Sequence, residues 1–340
     1  MNGRWSSAIT PCRARTGTEV VARKVCHPPP SPGYHDGVRA GPLLAAASLL
    51  LSSALLAQSQ PPLRDHRIFR SGVNITSVAA TVTDRDGHLV GDLTPESFEI
   101  YEDGERQTIT QFTHERVPVG LGVLLDISDS MMGKRIQDAR AAVDRFLFDL
   151  LDPSDEFFLI AFNHRPHPLT GWTRAREDVQ RALDGLRPTG STAIYDAVFE
   201  ALPVIDRRTR DRAALLIISD GADTASNATL RDLKSALLRS DVFVYAIAID
   251  SSATQAINSR VNVDALRDIT AETGGRTEVI KTSADLAEAT ARIADELNTQ
   301  YLLGYTSTKA ADGKYHSIRV RVAGAEYRIR ARQGYVASQN

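Results

Sequence analysis

Cysteine is nearly absent from this 340-residue chain, which has only Cys12 and Cys26. Both precede an apolar run at residues 43–57, so the chain beyond that run can hold neither a disulfide framework nor a cysteine-ligated metal. No charge of one sign dominates. The formal net charge is -2, and no Lys/Arg-rich run is interleaved with aromatics, which argues against nucleic acid as a partner. Long apolar runs are missing too, since the stretch at 43–57, about 15 residues, is short for a bilayer. Several catalytic signatures are also lacking. There is no His-Glu-x-x-His, no Gly-x-Ser-x-Gly elbow and no Gly-Lys-Ser/Thr phosphate loop.

The apolar run ends in small residues and turns polar at Gln58-Ser59-Gln60, the pattern of a secretory signal cleaved near Ala57. The expectation is an exported protein, periplasmic or extracellular, with membrane contact only through its export signal. Some forty residues precede the run, which places the expected true start nearer Val38-Arg39. Neither cysteine stands where a bacterial lipid anchor would need one. Without residues 1–57 the chain keeps 34 basic and 40 acidic residues, a formal charge of -6, which favours cations over phosphate polymers.

Three kinds of local pattern divide the rest. From 58 to 116 alternating segments such as Val78-Ala79-Ala80-Thr81-Val82-Thr83 are broken by Asp86-Gly87 and Asp103-Gly104 turns, a small β-rich module. From 117 to 300 the strands are apolar throughout, at 119–125, 157–162, 214–218 and 242–249. Amphipathic helical stretches separate them at 135–151, 176–186, 193–205, 229–240, 263–273 and 284–297. That pattern predicts an α/β domain, doubly wound around a mostly parallel sheet covered on both faces. From 301 to 340 alternation returns. Isolated hairpins are marginal in water, so these strands are expected to pack on the N-terminal module, enclosing the α/β domain between two halves of one β unit.

Ligands of open α/β sheets bind outside the carboxyl ends of the strands. The polar clusters fall at those ends: Asp126-Ile127-Ser128-Asp129-Ser130 after one strand, Ser219-Asp220-Gly221 after another, and Thr189-Gly190-Ser191-Thr192 before a helix. Asp126 and Asp220 offer charge, and Ser128, Ser130 and Thr192 offer neutral oxygens, a set that suits a hard cation such as Mg²⁺, with Mn²⁺ or Ca²⁺ as alternatives. Hydroxyl ligands leave the ion electrophilic. It could then accept an anionic group from outside.

Asp-x-Ser-x-Ser after an apolar strand, a later Gly-Ser-Thr and a Ser-Asp-Gly together resemble the metal-ion-dependent adhesion site of von Willebrand factor A domains. The resemblance implies that Ser128 and Ser130 ligate directly, Thr192 directly or through water, and Asp126 and Asp220 mainly through waters. It also implies a protein partner that presents an Asp or Glu carboxylate. Val82-Thr83-Asp84-Arg85-Asp86-Gly87, Phe98-Glu99-Ile100-Tyr101-Glu102-Asp103-Gly104 and the ending Arg332-Gln333-Gly334-Tyr335 are similar to secreted bacterial proteins related to von Willebrand factor A, abundant in acidobacteria.

An enzyme is disfavoured. A metal-dependent hydrolase would want a second carboxylate where Ser128 stands, and no general base accompanies the cluster. A scaffold whose metal only rigidifies its loop is the other alternative. His164 and His167 flank Arg165-Pro166 and are expected in a surface loop rather than a metal site. Asp129 and Asp223 are expected to be solvated carboxylates, and Met131 and Met132 packing residues.

Overall fold

A computed structural model describes residues 75–221, 223–250, 263–310, 312–324 and 326–337. The expected export signal and both cysteines lie outside the described residues. In chain order the strands and helices are β1 (Ile75–Thr83), β2 (Phe98–Glu102), β3 (Glu105–Gln107), β4 (Ile109–Thr113), β5 (Val119–Asp126), α1 (Lys134–Asp144), β6 (Glu156–Phe162), β7 (Pro166–Thr173), α2 (Arg176–Asp184) and α3 (Ile194–Ile205). They continue with β8 (Arg212–Ser219), α4 (Leu230–Leu237), β9 (Phe243–Ile249), α5 (Val263–Thr273), β10 (Thr277–Ile280), α6 (Ser283–Thr299), β11 (Tyr301–Thr306), β12 (Tyr315–Val322), β13 (Arg328–Ala331) and β14 (Gly334–Val336).

The central sheet has the order β10-β9-β8-β5-β6-β7. Every residue of β5, β6, β8 and β9 is buried, which is why these segments are apolar without alternation. Leu121, Val123 and Leu125 of β5 pack on one side with Ala139 and Val143 of α1 and Ile293 of α6. Leu124 faces the other side with Phe158, Leu215, Val198 of α3 and Leu266 of α5. Each of the larger side chains among them, Val, Leu, Ile or Phe, stabilises the fold by roughly 1.5–3 kcal/mol. The two helical layers thus clamp one sheet.

Strands β6, β5, β8, β9 and β10 run parallel, and β7 is antiparallel on the β6 edge. From β5 the chain moves one way to β6 and β7, then returns through α3 to β8 on the opposite side of β5. That reversal opens a crevice at the carboxyl ends of β5 and β8. β7 and β10 are additions to the sequence expectation. Pro166, Pro168 and Gly171 hide β7 from a propensity reading, and proline is tolerated there because β7 is an edge strand.

Segments from both ends of the chain form the β-rich part, in two antiparallel sheets ordered β13-β1-β11-β4 and β14-β12-β2-β3. Val78, Val82, Phe98, Ile100, Tyr301, Leu303 and Tyr305 are its core. The turn between β2 and β3 has positive φ at both Asp103 (49°) and Gly104 (83°), the geometry of a two-residue hairpin turn. The fold class is therefore α/β, a mostly parallel doubly wound sheet with a flanking β module built from the two ends.

Polar side chains join the two parts. Gln300, just past α6, accepts from Arg212 and donates to Tyr245 Oη at 2.9 Å and Thr81 Oγ1 at 3.4 Å. Asp155 accepts from Arg116 at 2.5 Å and from the Val119 amide at 2.9 Å, fixing the entry into β5. Among the described residues no helix is long and apolar enough to cross a membrane.

Candidate metal centre at the carboxyl ends of the central strands

Asp126 is the last residue of β5 and is fully buried. Its Oδ1 accepts the Ser128 amide at 2.8 Å, and its Oδ2 accepts the Ser219 hydroxyl at 2.6 Å. The first bond is an Asx-type turn that swings the chain off the strand. The second ties the loop after β5 to the end of β8. Burial pushes the Asp126 carboxyl up to about 6, against hydrogen bonds from Ser219 and Ser128 that favour its anion.

Ser128 and Ser130 then point their hydroxyls at each other, with 2.9 Å between the oxygens. Ile127 faces away into the core cluster on the α1 side. A single turn of tight helix, Asp129–Met131, follows, with Met131 buried and Met132 57% exposed. Met131 is thus a packing residue, whereas Met132 stands on the surface beside the site. Asp129 is exposed, as expected.

The loop bearing Thr192 is zipped to this one by backbone bonds. The Thr189 amide donates to Ile127 O at 2.8 Å, and the Asp129 amide donates to Gly190 O at 2.8 Å. Gly190 has a φ of 80°, so the close approach is made where no side chain interferes. Buried Thr192 exchanges bonds with Thr224, its amide donating to Thr224 Oγ1 at 3.0 Å and its carbonyl accepting the Thr224 amide at 2.8 Å.

Asp220 follows β8 and is buried. Its Oδ2 accepts from Arg135 Nη1 at 3.1 Å, while the same nitrogen donates to Ser130 O at 2.9 Å. Its Oδ1 is buried with no hydrogen-bond partner. Arg135, like Thr224 beside Thr192, is a neighbour that sequence reasoning missed. Its signal in the sequence is weak: a cation in the first turn of α1, directly after the loop.

Asp126, Ser128, Ser130, Thr192 and Asp220 therefore come from segments that the hydrogen bonds draw to one crevice. The donor set is all oxygen and holds two buried carboxylates, and one carboxylate oxygen is left without a partner. A hard divalent cation fits that chemistry, because an uncompensated buried anionic oxygen is costly unless paired or coordinated.

Two further groups are placed differently from expectation. Asp223 is partly buried, and accepts from the Tyr195 amide at 3.0 Å and the Ser226 hydroxyl at 2.6 Å, so it caps the start of α3 rather than lying free in solvent. His167 belongs to edge strand β7, not to a loop, and its Nε2 lies 3.0 Å from Asn163 Oδ1. Asp84, Asp86 and His88 bring ligand atoms within 4.8 Å of one another. They form an exposed turn in which Asp84 Oδ1 accepts the amides of Asp86 at 2.9 Å and His88 at 2.8 Å.

Comparison with known families matches residues 121–222 to the von Willebrand factor type A domain. This stretch, which runs from β5 through the loop bearing Thr192 to the end of β8, is similar to that domain. The human inter-alpha-trypsin inhibitor heavy chain H4 is 27% identical over 146 residues, 36% of this chain but only 15% of that protein. The bovine protein of the same name is 26% identical over 120 residues, 32% of this chain and 13% of its own length. The chain thus spans a small part of these relatives.

Among solved structures, a von Willebrand factor type A protein from Catenulispora acidiphila aligns with a TM-score of 0.47 at 13% identity, covering 80% of this chain and 76% of that one. The vWF domain of the type V pili tip protein Mfa5 from Porphyromonas gingivalis aligns with a TM-score of 0.44 at 15% identity, covering 54% and 96%.

Proposed function

We propose that the von Willebrand factor type A domain of this chain captures a carboxylate of a partner protein through a divalent cation, Mg²⁺ or Mn²⁺, with Ca²⁺ as an alternative. The observation that carries the reading is the unpartnered, buried Oδ1 of Asp220, opposite a loop that holds Asp126, Ser128 and Ser130. Ser128, Ser130 and Thr192 would hold the ion by their hydroxyls, with Asp126 and Asp220 completing its charge. When bound, the ion would supply an electrophilic position for an acidic group from outside. Exposed Met132 and Asp129 flank that position, and methionine adapts its shape to varied partner surfaces.

Two engaged carboxylates support adhesive binding over catalysis. Both of its carboxylates are engaged, Asp126 by Ser128 and Ser219 and Asp220 by Arg135, which leaves no general base poised over an incoming group. We further propose that the chain is exported, with residues 58–116 and 301–340 forming one β module around a domain at 117–300. Membership of the secreted bacterial group named above belongs to the same proposal.

The test is calorimetric titration of Mg²⁺ and Mn²⁺ into the wild type and into Asp126→Ala, followed by capture from envelope extract with and without EDTA. Metal uptake by the wild type alone, with captured protein lost in EDTA, is expected. Equal metal uptake by both proteins, or capture indifferent to EDTA and to the substitution, would sink the reading.

A further inference from the structure

Strand β12 is covered unevenly. β2 pairs with it from Ile318 to Val322, whereas on its other side β14 pairs from Tyr315 to Ser317 and the Ile318 amide donates to Gln333 O at 2.8 Å, which leaves that side uncovered from Arg319 onward. β13 is the edge of its own sheet, paired with β1 alone. Successive residues of an antiparallel ladder direct their backbone groups to opposite sides. Ser317 O accepts the Asp103 amide at 3.0 Å, on the β2 side, so Val320 directs its N–H and C=O away from β2. Val82 O accepts the Val90 amide at 3.0 Å, away from β13, so Ile329 opposite Val82 likewise directs its backbone groups away from β1.

A groove of about 570 Å³ lies at these two edges, and its lining includes Val320, Ile329, Arg319, Arg321 and Arg332. No carboxylate among the described residues lines it. Among the described residues none of the three arginines has an ion-pair partner. Arg321 lies over the Tyr101 ring at 5.1 Å, and Arg332 donates only to the carbonyls of Gly334 at 3.0 Å and Leu238 at 3.3 Å. Val320 and Ile329 pack against the core of the β module yet are only partly buried, so that core is open along this seam.

We propose that the groove accepts an extended acidic segment of a partner protein as an added β-strand. Its backbone would bond to Val320 and Ile329. Alternate side chains would face the open core, and the acidic ones between them would face Arg319 and Arg321. Free strand edges supply affinity in such an arrangement and the side-chain pattern supplies selectivity. The charge of the lining selects an anionic occupant.

The probe is a peptide of about six alternating Glu and Val residues, the usual length of a strand, added to the full chain with and without EDTA. Binding that persists in EDTA is expected, which separates this site from the metal centre. Arg319→Glu combined with Arg321→Glu alters only exposed side chains and should weaken binding roughly fivefold to tenfold, as two exposed ion pairs would. Hydrogen exchange should show new protection at the Val320 and Ile329 amides. Equal binding of a block-sequence peptide of the same composition, or binding without that protection, would overturn the proposal. So would polygalacturonate binding in place of the peptide, or protection that appears only as the protein itself is concentrated.

Discussion

Arg135 Nη1 sits 3.1 Å from Asp220 Oδ2, and both side chains are nearly excluded from solvent, at 9% and 4% exposure. One oxygen of Asp220 is therefore paired by the protein itself, and the other is buried with no hydrogen-bond partner. On the proposed reading, the pair sets how strongly the site would need a metal. A buried carboxylate that loses its partner destabilises the fold by about 3–5 kcal/mol, and a bound cation can restore part of that.

Replacing Arg135 by Met should therefore lower the thermal midpoint of the metal-free protein and enlarge the rise produced by saturating Mg²⁺. Scanning calorimetry with and without Mg²⁺ measures both. A variant whose metal-induced rise is no larger than that of the wild type would show that Arg135 does not share Asp220 with the cation.

Asp126 gives the site a pH dependence. Its carboxyl is raised from 3.8 to about 6 by burial, so the fold favours the protonated form. In the metal-free protein this contribution to stability is present below about pH 4 and is lost as pH rises through about 6. Metal needs the anion, so the two effects oppose each other. Mg²⁺ affinity should weaken roughly tenfold for each pH step below about 6 and be flat above it. Titrations at pH 5, 6 and 7 check this, and affinity unchanged across that range would refute it.

The glycines separate steric demand from mere tolerance. A Cβ on Gly275 would collide with the carbonyl oxygen of Val244, in the backbone of buried strand β9. Backbone of a buried strand cannot step aside. Gly275→Ala should cost about 1–3 kcal/mol or more. Gly185, which ends α2, has a φ of -79° and nothing within 4 Å of a built Cβ, so Gly185→Ala should change stability by less than about 0.5 kcal/mol. Urea denaturation of both variants tests the contrast.

The buried strands and the course of the loop after β5 were readable in the sequence because their cause is local. Leu121 to Leu125 is apolar because both faces of β5 are covered, and Asp126, Ser128 and Ser130 are spaced by the turn that leaves it. Thr192 and Asp220 were legible as motif fragments at element ends. What stayed hidden was the pairing of distant groups. Nothing near Arg135 in sequence announces Asp220, and nothing near Asp223 announces the α3 amide that it caps. β7 was concealed for a different reason, since an edge strand needs little β propensity when a neighbour such as β6 supplies the ladder.

Glu102 extends that lesson to the β module. It is fully buried, yet among the described residues no cation pairs with it. Its carboxylate oxygen Oε1 accepts from Tyr305 Oη at 2.9 Å, Ser307 Oγ at 2.9 Å and Tyr335 Oη at 2.8 Å. Tyr305 is on β11, Tyr335 on β14 and Glu102 on β2, so this one carboxylate ties both sheets together. Burial and the adjacent anion push the Tyr305 phenol far up, which keeps it a donor throughout the physiological range. Removing one donor deprives a buried charged acceptor of a bond worth about 1.5–3 kcal/mol, whereas removing the carboxylate strands several hydroxyls at once. Tyr335→Phe should thus be mildly destabilising, and Glu102→Leu more so than the sum of Tyr305→Phe and Tyr335→Phe measured separately. Equilibrium unfolding of the three variants decides the matter: a Glu102→Leu loss no larger than that of Tyr335→Phe would mean that the carboxylate does not organise the module.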